Sequence, residues 1–196
     1  MDNIANQATL LYNNMTTNSN TVTTQILSLY DLTATKEALL DTYTPNQTIT
    51  YVTRVENTGS ASLYNLTVVD DLAKGLTQYI DNSVEGYLNG TPIEVNVQIT
   101  NNTVIFTIDN VINPNDNVLI IFETTTPTTR PDVLTNTQTI TANGGSTTGP
   151  IVAVTPNPSA TVTLANYVSL DITKSANKAS IYSGDTLVYT FQIINN

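Results

Sequence analysis

The stretch Gln47-Thr-Ile-Thr-Tyr-Val-Thr-Arg-Val-Glu-Asn57 sets Ile49, Tyr51, Thr53 and Val55 at every second position against polar neighbours. That period belongs to a strand with one face in a core and the other toward water. The rhythm continues outward: Leu66 and Val68 alternate within 63–70, and Val104, Phe106 and Ile108 within 104–110. The run NVLIIFET at 117–124 is almost continuously apolar and suits the middle of a sheet. Asn89-Gly90, between candidate strands 84–88 and 93–97, is a strong hairpin signal, and Asn57-Thr58-Gly59 and Asn143-Gly144-Gly145 are further turns. The segment 72–75 is the one candidate helical turn. About seven to nine short strands at this spacing predict an all-β, immunoglobulin-like β-sandwich.

Composition agrees with that class and removes others. Thr, which favours strands, and Asn, which favours turns, are far above ordinary usage among the 196 residues. Sixteen acidic against six basic side chains give a net charge of −10. Such a surface repels phosphate backbones and anionic lipid, so neither nucleic acid nor a membrane is an expected partner. With no Cys and no His, zinc sites, disulfides, thiol nucleophiles and Ser-His-Asp triads are excluded. No apolar run is long enough to span a bilayer as a helix. Met1 to Leu11 has neither a basic n-region nor an apolar h-region, so no secretory signal is read there: either the protein leaves the cell by another route, such as lysis of its producer, or Met1 is not its natural start.

The chain repeats itself. LTATKEALLDTYTPNQTITYVTRVEN, around Lys36, aligns without gaps to LDITKSANKASIYSGDTLVYTFQIIN, around Lys174. Lys36 pairs with Lys174, Thr48 with Thr186, Tyr51 with Tyr189 and Asn57 with Asn195, at a constant offset of 138. Upstream, IANQATLLYN from Ile4 to Asn13 matches LTNTQTITAN from Leu134 to Asn143 at an offset of 130. The expected organisation is therefore an N-terminal β-hairpin arm (1–30, strands 4–13 and 21–27), one complete repeat (31–166), and the first two strands of a following repeat (167–196). It is a tandem repeat with partial units at both ends, and truncation is the plain explanation of the C-terminal one.

The run Thr35-Lys36, then YTPNQTITY from Tyr43, VENTG from Val55, LTVVDDL from Leu66 and Gly75-Leu-Thr77, resembles a bacterial surface repeat, the domain of unknown function eleven. Thr173-Lys174 and Ser183-Gly-Asp-Thr-Leu-Val-Tyr189 repeat its opening, so the resemblance covers nearly the whole chain. It implies sandwich domains strung in tandem on surface proteins of Gram-positive bacteria, and the start of the chain is similar to clostridial spore-surface and appendage proteins. Two departures stand out. Pro45-Asn46-Gln47 replaces the family's usual Gly-Asp pair, and no wall-anchoring tail is in view.

Alternation also singles out three polar residues. Lys36 shares a face with Leu32, Ala34 and Ala38, Asp70 shares one with Leu66, Val68 and Leu72, and Asn136 shares one with Leu134, Ile140 and Ala142. All three are expected to point into the core, where an unpaired charge costs several kcal/mol. Some related Gram-positive pilin and adhesin sandwiches join an inward Lys to an inward Asn by an isopeptide bond assisted by an acid. The resemblance thus implies an autocatalytic cross-link using Lys36, Asn136 and Asp70, with Glu123 as the alternative acid. The competing reading is a buried Lys36–Asp70 ion pair hydrogen-bonded by Asn136, or a Lys36 that snorkels to the rim.

Weaker candidates are a catalytic Asp70-Asp71 pair and a calcium loop at Asn113-Pro-Asn-Asp-Asn117, which reads more simply as a turn. No metal and no other cofactor is expected. The functional expectation is a non-enzymatic structural subunit of an extracellular, cell-surface or spore-surface fibre, partnered with copies of itself. Ile4, Asn6, Ala8, Leu10 and Tyr12 form one stripe that either folds onto its own domain or completes a neighbour's sandwich, in which case Asn6 and Lys174 are inter-subunit counterparts of Asn136 and Lys36. An adhesin-type binding module is the alternative. Tyr12, Tyr51 and Tyr189 sit in strand patterns that read as core.

Overall fold

The computed structural model describes residues 3–166 and 170–195. It is all-β and follows the immunoglobulin-like architecture expected from the alternation, with no helix among the described residues. The arm contains β1 (Asn3–Asn6), β2 (Thr9–Tyr12), β3 (Met15–Asn18) and β4 (Val22–Gln25). The central unit runs through β5 (Leu32–Ala38), β6 (Thr42–Tyr43), β7 (Thr48–Asn57), β8 (Leu63–Asp71), β9 (Gln78–Tyr79), β10 (Glu85–Leu88) and β11 (Thr91–Ile93). It continues through β12 (Asn96–Thr100), β13 (Thr103–Ile108), β14 (Asn117–Thr125), β15 (Val133–Gly144), β16 (Ile151–Ala153) and β17 (Ser159–Leu164). A last hairpin is β18 (Leu170–Ala176) with β19 (Tyr189–Asn195).

Two sheets face each other in the central unit. One has the order β11-β10-β14-β7-β5, with β9 also on β14, and the other β12-β13-β8-β15-β17-β6, with β16 also on β15. All pairs are antiparallel except β17–β6. The apolar run of β14 does lie mid-sheet, between β7 on one side and β10 with β9 on the other. Period-2 alternation sends Ile49, Tyr51 and Val55 from β7, Leu66 and Val68 from β8, Phe106 from β13 and Phe122 from β14 into one shared core. At its centre Phe122 stacks on Tyr51 at 5.6 Å and meets Phe106 at 5.0 Å. On one side of the sandwich β17 runs alongside β5, joining the two sheets.

Turn chemistry follows the residues. Asn89 (φ 51°) and Gly90 (φ 81°) both take positive φ, the geometry that fits a two-residue hairpin to twisted strands. Asn57 donates to the Ala61 and Ile112 carbonyls at 2.9 Å each and accepts from Gly59 N, so one buried amide closes the turn after β7. A Cβ at Gly59 would stand 2.4 Å from the Leu29 carbonyl oxygen. That close approach lets Leu29 bond Ser60 through both backbone groups and docks the segment leading out of the arm.

Four details differ from the sequence reading. The strand expected at 93–97 breaks after Ile93: β11 ends there and β12 starts at Asn96 in the opposite sheet, so the chain changes layer at Glu94-Val95. Residues 72–76 are a turn, not a helix. In the arm, Asn13 (φ 46°) and Asn14 (φ 60°) make the tight turn, and Met15–Asn18, expected as loop, pairs with β2. Gln7-Ala8 then faces Ser19-Asn20-Thr21, a bulge held by Ala8 N donating to Ser19 Oγ at 2.9 Å. Finally, only Tyr51 of the three tyrosines is core; Tyr12 is 69% exposed and Tyr189 52%, because each hairpin is one layer with no opposing sheet among the described residues.

Phe122→Ala is expected to lower unfolding stability by about 3–5 kcal/mol in a urea titration, the usual cost of emptying a well-packed aromatic site. Ile121→Ala, one residue along and facing out, is expected to cost far less.

Candidate functional site

The register of the two sheets builds a polar cluster inside the apolar core. In the first sheet Lys36 stands opposite Thr53. In the second, Asp70 stands opposite Gln138. Residues paired across a ladder share a face, so the two pairs confront each other across the sandwich. Asn136, two residues before Gln138 on β15, reaches the same point. Lys36, Thr53, Asp70, Asn136 and Gln138 are all buried.

Their hydrogen bonds converge on one atom. Lys36 Nζ lies 2.6 Å from Asp70 Oδ2, both side chains fully shielded from solvent. The same oxygen accepts from Gln138 Nε2 at 2.9 Å and from Asn136 Nδ2 at 3.3 Å. Thr53 Oγ1 in turn donates to Gln138 Oε1 at 2.8 Å. The Lys36 ammonium also sits 4.8 Å from the Tyr51 ring centre and 5.1 Å from that of Phe122. Against this, Asp70 Oδ1, Asn136 Oδ1 and the Tyr51 hydroxyl are buried without a hydrogen-bond partner.

Burial dominates the electrostatics. Desolvation pulls Lys36 down from 10.5 to about 8, although the Asp70 charge and hydrogen bond oppose it. An amine at that value is neutral in an appreciable fraction of molecules near neutral pH, and neutral amine is the nucleophilic form. Tyr51 is pushed up to about 12, first by burial and then by the Asp70 charge, so its phenol keeps its proton.

The structure therefore brings Lys36, Asp70 and Asn136 together. Snorkelling of Lys36 to the rim does not occur. Glu123, the alternative acid, lies on the outward face of β14, because the alternation that turns Phe122 and Thr124 inward turns it out. Asp71 likewise faces out, bonded to Lys74 Nζ at 2.9 Å, so Asp70-Asp71 is not a convergent pair. Asp116 closes the 113–117 loop by accepting from Asn113 N and Asn89 Nδ2, each at 2.7 Å. Gln138 is the member that the sequence reading missed. Its place on the Asn136 face was legible from spacing, but a lone inward Gln gives no chemical signal until its cross-strand partner is known.

Asn6 and Lys174 lie outside this cluster. Asn6 pairs with Val22 as Asn136 pairs with Ala160, and Lys174 pairs with Phe191 as Lys36 pairs with Thr53. Lys174 rests 4.2 Å from the Tyr189 ring centre. The two hairpins thus repeat the registers of β15–β17 and β5–β7. Their other positions differ: Ala8 stands for Gln138 and Phe191 for Thr53, and neither hairpin has a described counterpart of β8, which supplies Asp70.

No protein-family model matches the chain, and no curated protein matches it in sequence. Solved structures do match in fold. BcpA, the major pilin subunit of Bacillus cereus, superposes with a TM-score of 0.56 at 12% identity over 97% of this chain and 66% of the pilin. Domains D2 and D3 of the major pilin SpaD of Corynebacterium diphtheriae give 0.52 at 15% identity over 77% of this chain and 57% of that one. This chain thus spans only about two thirds or less of each pilin structure. At these identities the likeness is one of fold, that of Gram-positive pilin domains.

Asp70→Ala, which strands the Lys36 charge in the core, is expected to destabilise by about 3–5 kcal/mol in chemical denaturation. In an Asn136→Ala variant, which keeps a free Lys36, stability is expected to rise between about pH 8 and pH 10. There the unfolded chain still binds the proton that folded Lys36 has released, so raising pH favours folding. The gain ends near pH 10, where unfolded tyrosines ionise before Tyr51 does. Denaturation midpoints at pH 7.5 and 9.5 check the sign.

Proposed function

We propose that this chain is a non-enzymatic structural subunit of an extracellular fibre or appendage on a cell or spore surface. Its subunits add head to tail by strand donation. The observation that carries the reading is the pairing register of the two hairpins. The arm reproduces β15–β17 and the last hairpin reproduces β5–β7, two pairs that lie side by side in the central unit through β17 and β5. Each leaves an apolar face uncovered: Ile4, Leu10, Tyr12 and Met15 on the arm, and Leu170, Ile172, Phe191 and Ile193 on the other. Exposed stripes of that kind suit pairing with another copy, and a heterologous contact of this kind propagates as a filament.

Within the unit, Lys36 and Asn136 form an isopeptide bond. Lys36 passes its proton to Asp70, the free amine attacks Asn136 Cγ, the Nζ–Cγ bond forms, and the Cγ–Nδ2 bond breaks. Nδ2 leaves as ammonia with the proton shed by the attacking nitrogen, and Asp70 is regenerated once it gives up its own proton. The bond ties β5 of one sheet to β15 of the other. By analogy with disulfides, closing a loop of this length stabilises by about 4–5 kcal/mol, a useful property in a fibre under tension. Asn6 and Lys174 are the corresponding pair between subunits.

Electron microscopy of the purified full chain is expected to show filaments, and deletion of residues 1–28 to leave a folded monomer. Fibres that persist after that deletion, or a monomer that binds glycans without polymerising, would replace this reading. Intact mass is expected to fall short by one ammonia per unit, with Lys36→Ala giving its full calculated mass and a lower melting temperature. A full mass in the unaltered chain would leave only the ion pair.

A further inference from the structure

Six buried side-chain atoms lack a hydrogen-bond partner among the described residues, and three of them belong to one cluster: Asp70 Oδ1, Asn136 Oδ1 and the Tyr51 hydroxyl. An unpaired buried polar atom costs about 1–3 kcal/mol, so three of them gathered in one cluster call for a reason. Two of the three are acceptors. The third, the phenol, carries the only hydrogen among them.

Tyr51 is placed for contact with the reacting groups. It lies two residues before Thr53 on the inward face of β7, stacked on Phe122, with Lys36 Nζ 4.8 Å from its ring centre. Thr53 bonds Gln138 across the sandwich, and Tyr51 and Asn136 are the inward residues two places before each of them on β7 and β15. The carboxamide nitrogen is turned to Asp70, which leaves Asn136 Oδ1 unpaired. When an amine adds to Cγ, negative charge collects on that oxygen. A donor held at that oxygen does what oxyanion donors do in other acyl-transfer sites.

We propose that Tyr51 is a catalytic residue of the cross-linking reaction, its hydroxyl donating a hydrogen bond to Asn136 Oδ1 as Lys36 attacks. This rests on the isopeptide reading above and adds a named group to it. The phenol lends a hydrogen bond and keeps its proton throughout, so the balance of the step is unchanged: one Nζ–Cγ bond made, one Cγ–Nδ2 bond broken, one ammonia released. The proton is secure because burial and the Asp70 charge hold Tyr51 at about 12. A second Lys–Tyr contact appears at the matching register of the last hairpin, where Lys174 lies 4.2 Å from the Tyr189 ring centre. The pair therefore travels with the repeat, while Thr53 and Gln138 do not.

The test follows ammonia loss by intact mass over time after cell-free synthesis of the full chain. Tyr51→Phe keeps the ring against Phe122 and removes only the hydroxyl. It is expected to fold, shown by an unchanged near-ultraviolet signature outside the lost phenol, and to cross-link about a hundredfold more slowly or worse. Placing 3-fluorotyrosine at position 51, a more acidic donor of nearly the same shape, is expected to speed the reaction. That response would not follow from a packing role, and it stands even if the Phe variant folds poorly. A folded Tyr51→Phe chain that cross-links at the unaltered rate, or a fluorotyrosine chain with no change in rate, overturns the role of Tyr51 and leaves the isopeptide reading intact. An unaltered chain that never loses ammonia overturns both.

Discussion

One carboxylate oxygen, Asp70 Oδ2, organises the interior of the central unit. It accepts from an ammonium and two amides contributed by both sheets, so the sandwich closes only when β5, β8 and β15 take one relative position. Apolar contacts tolerate small slides between layers, but a three-donor node in a dry core does not. A slide of one residue in β5 would turn Lys36 outward and leave Asp70 charged and unsolvated. The aromatic layer of Tyr51, Phe122 and Phe106 keeps water away from the node, and that exclusion is also what depresses the Lys36 pKa.

The node is incompletely satisfied on one side. A core selected for stability alone would replace Lys36 and Asp70 with apolar residues, since buried ion pairs are often no better than hydrophobic packing. Retaining them, with three unpaired atoms in the cluster, is what the proposed cross-linking reaction would require. Gln138 and Thr53 share in this: the Thr53 hydroxyl occupies the Gln138 carbonyl, which commits the Gln138 amide to Asp70 and leaves Asn136 as the carboxamide with an open oxygen.

The hairpins on either side of the unit obey the same pairing rules without the same chemistry. Lys174 has its aromatic bed in Tyr189 and Phe191, and Asn6 keeps its register opposite Val22. Ala8 and Phe191 stand where Gln138 and Thr53 would be. The faces they present are more apolar than their counterparts in the unit, with Phe191 and Ala8 in place of Thr53 and Gln138.

The sequence by itself determined the class of the fold, because period-2 alternation leaves little choice of element and the apolar run of β14 little choice of place. It carries internal matches at offsets of 138 and 130, and the pairing registers of the two hairpins agree with those offsets. It also placed Lys36, Asp70 and Asn136 on inward faces, since facing depends only on counting along a strand. Which inward residues meet was decided by tertiary structure, because it depends on how two sheets are stacked and on cross-strand register between residues far apart in the chain. The role of Gln138 was invisible for that reason, and Glu123 stayed in contention because the nearly continuous apolar run of β14 does not say which of its faces turns inward. The change of layer at Glu94-Val95 and the exposure of Tyr12 and Tyr189 belong to the same category. Alternation tells a residue which side of its strand it occupies, and only the fold decides whether another sheet lies there.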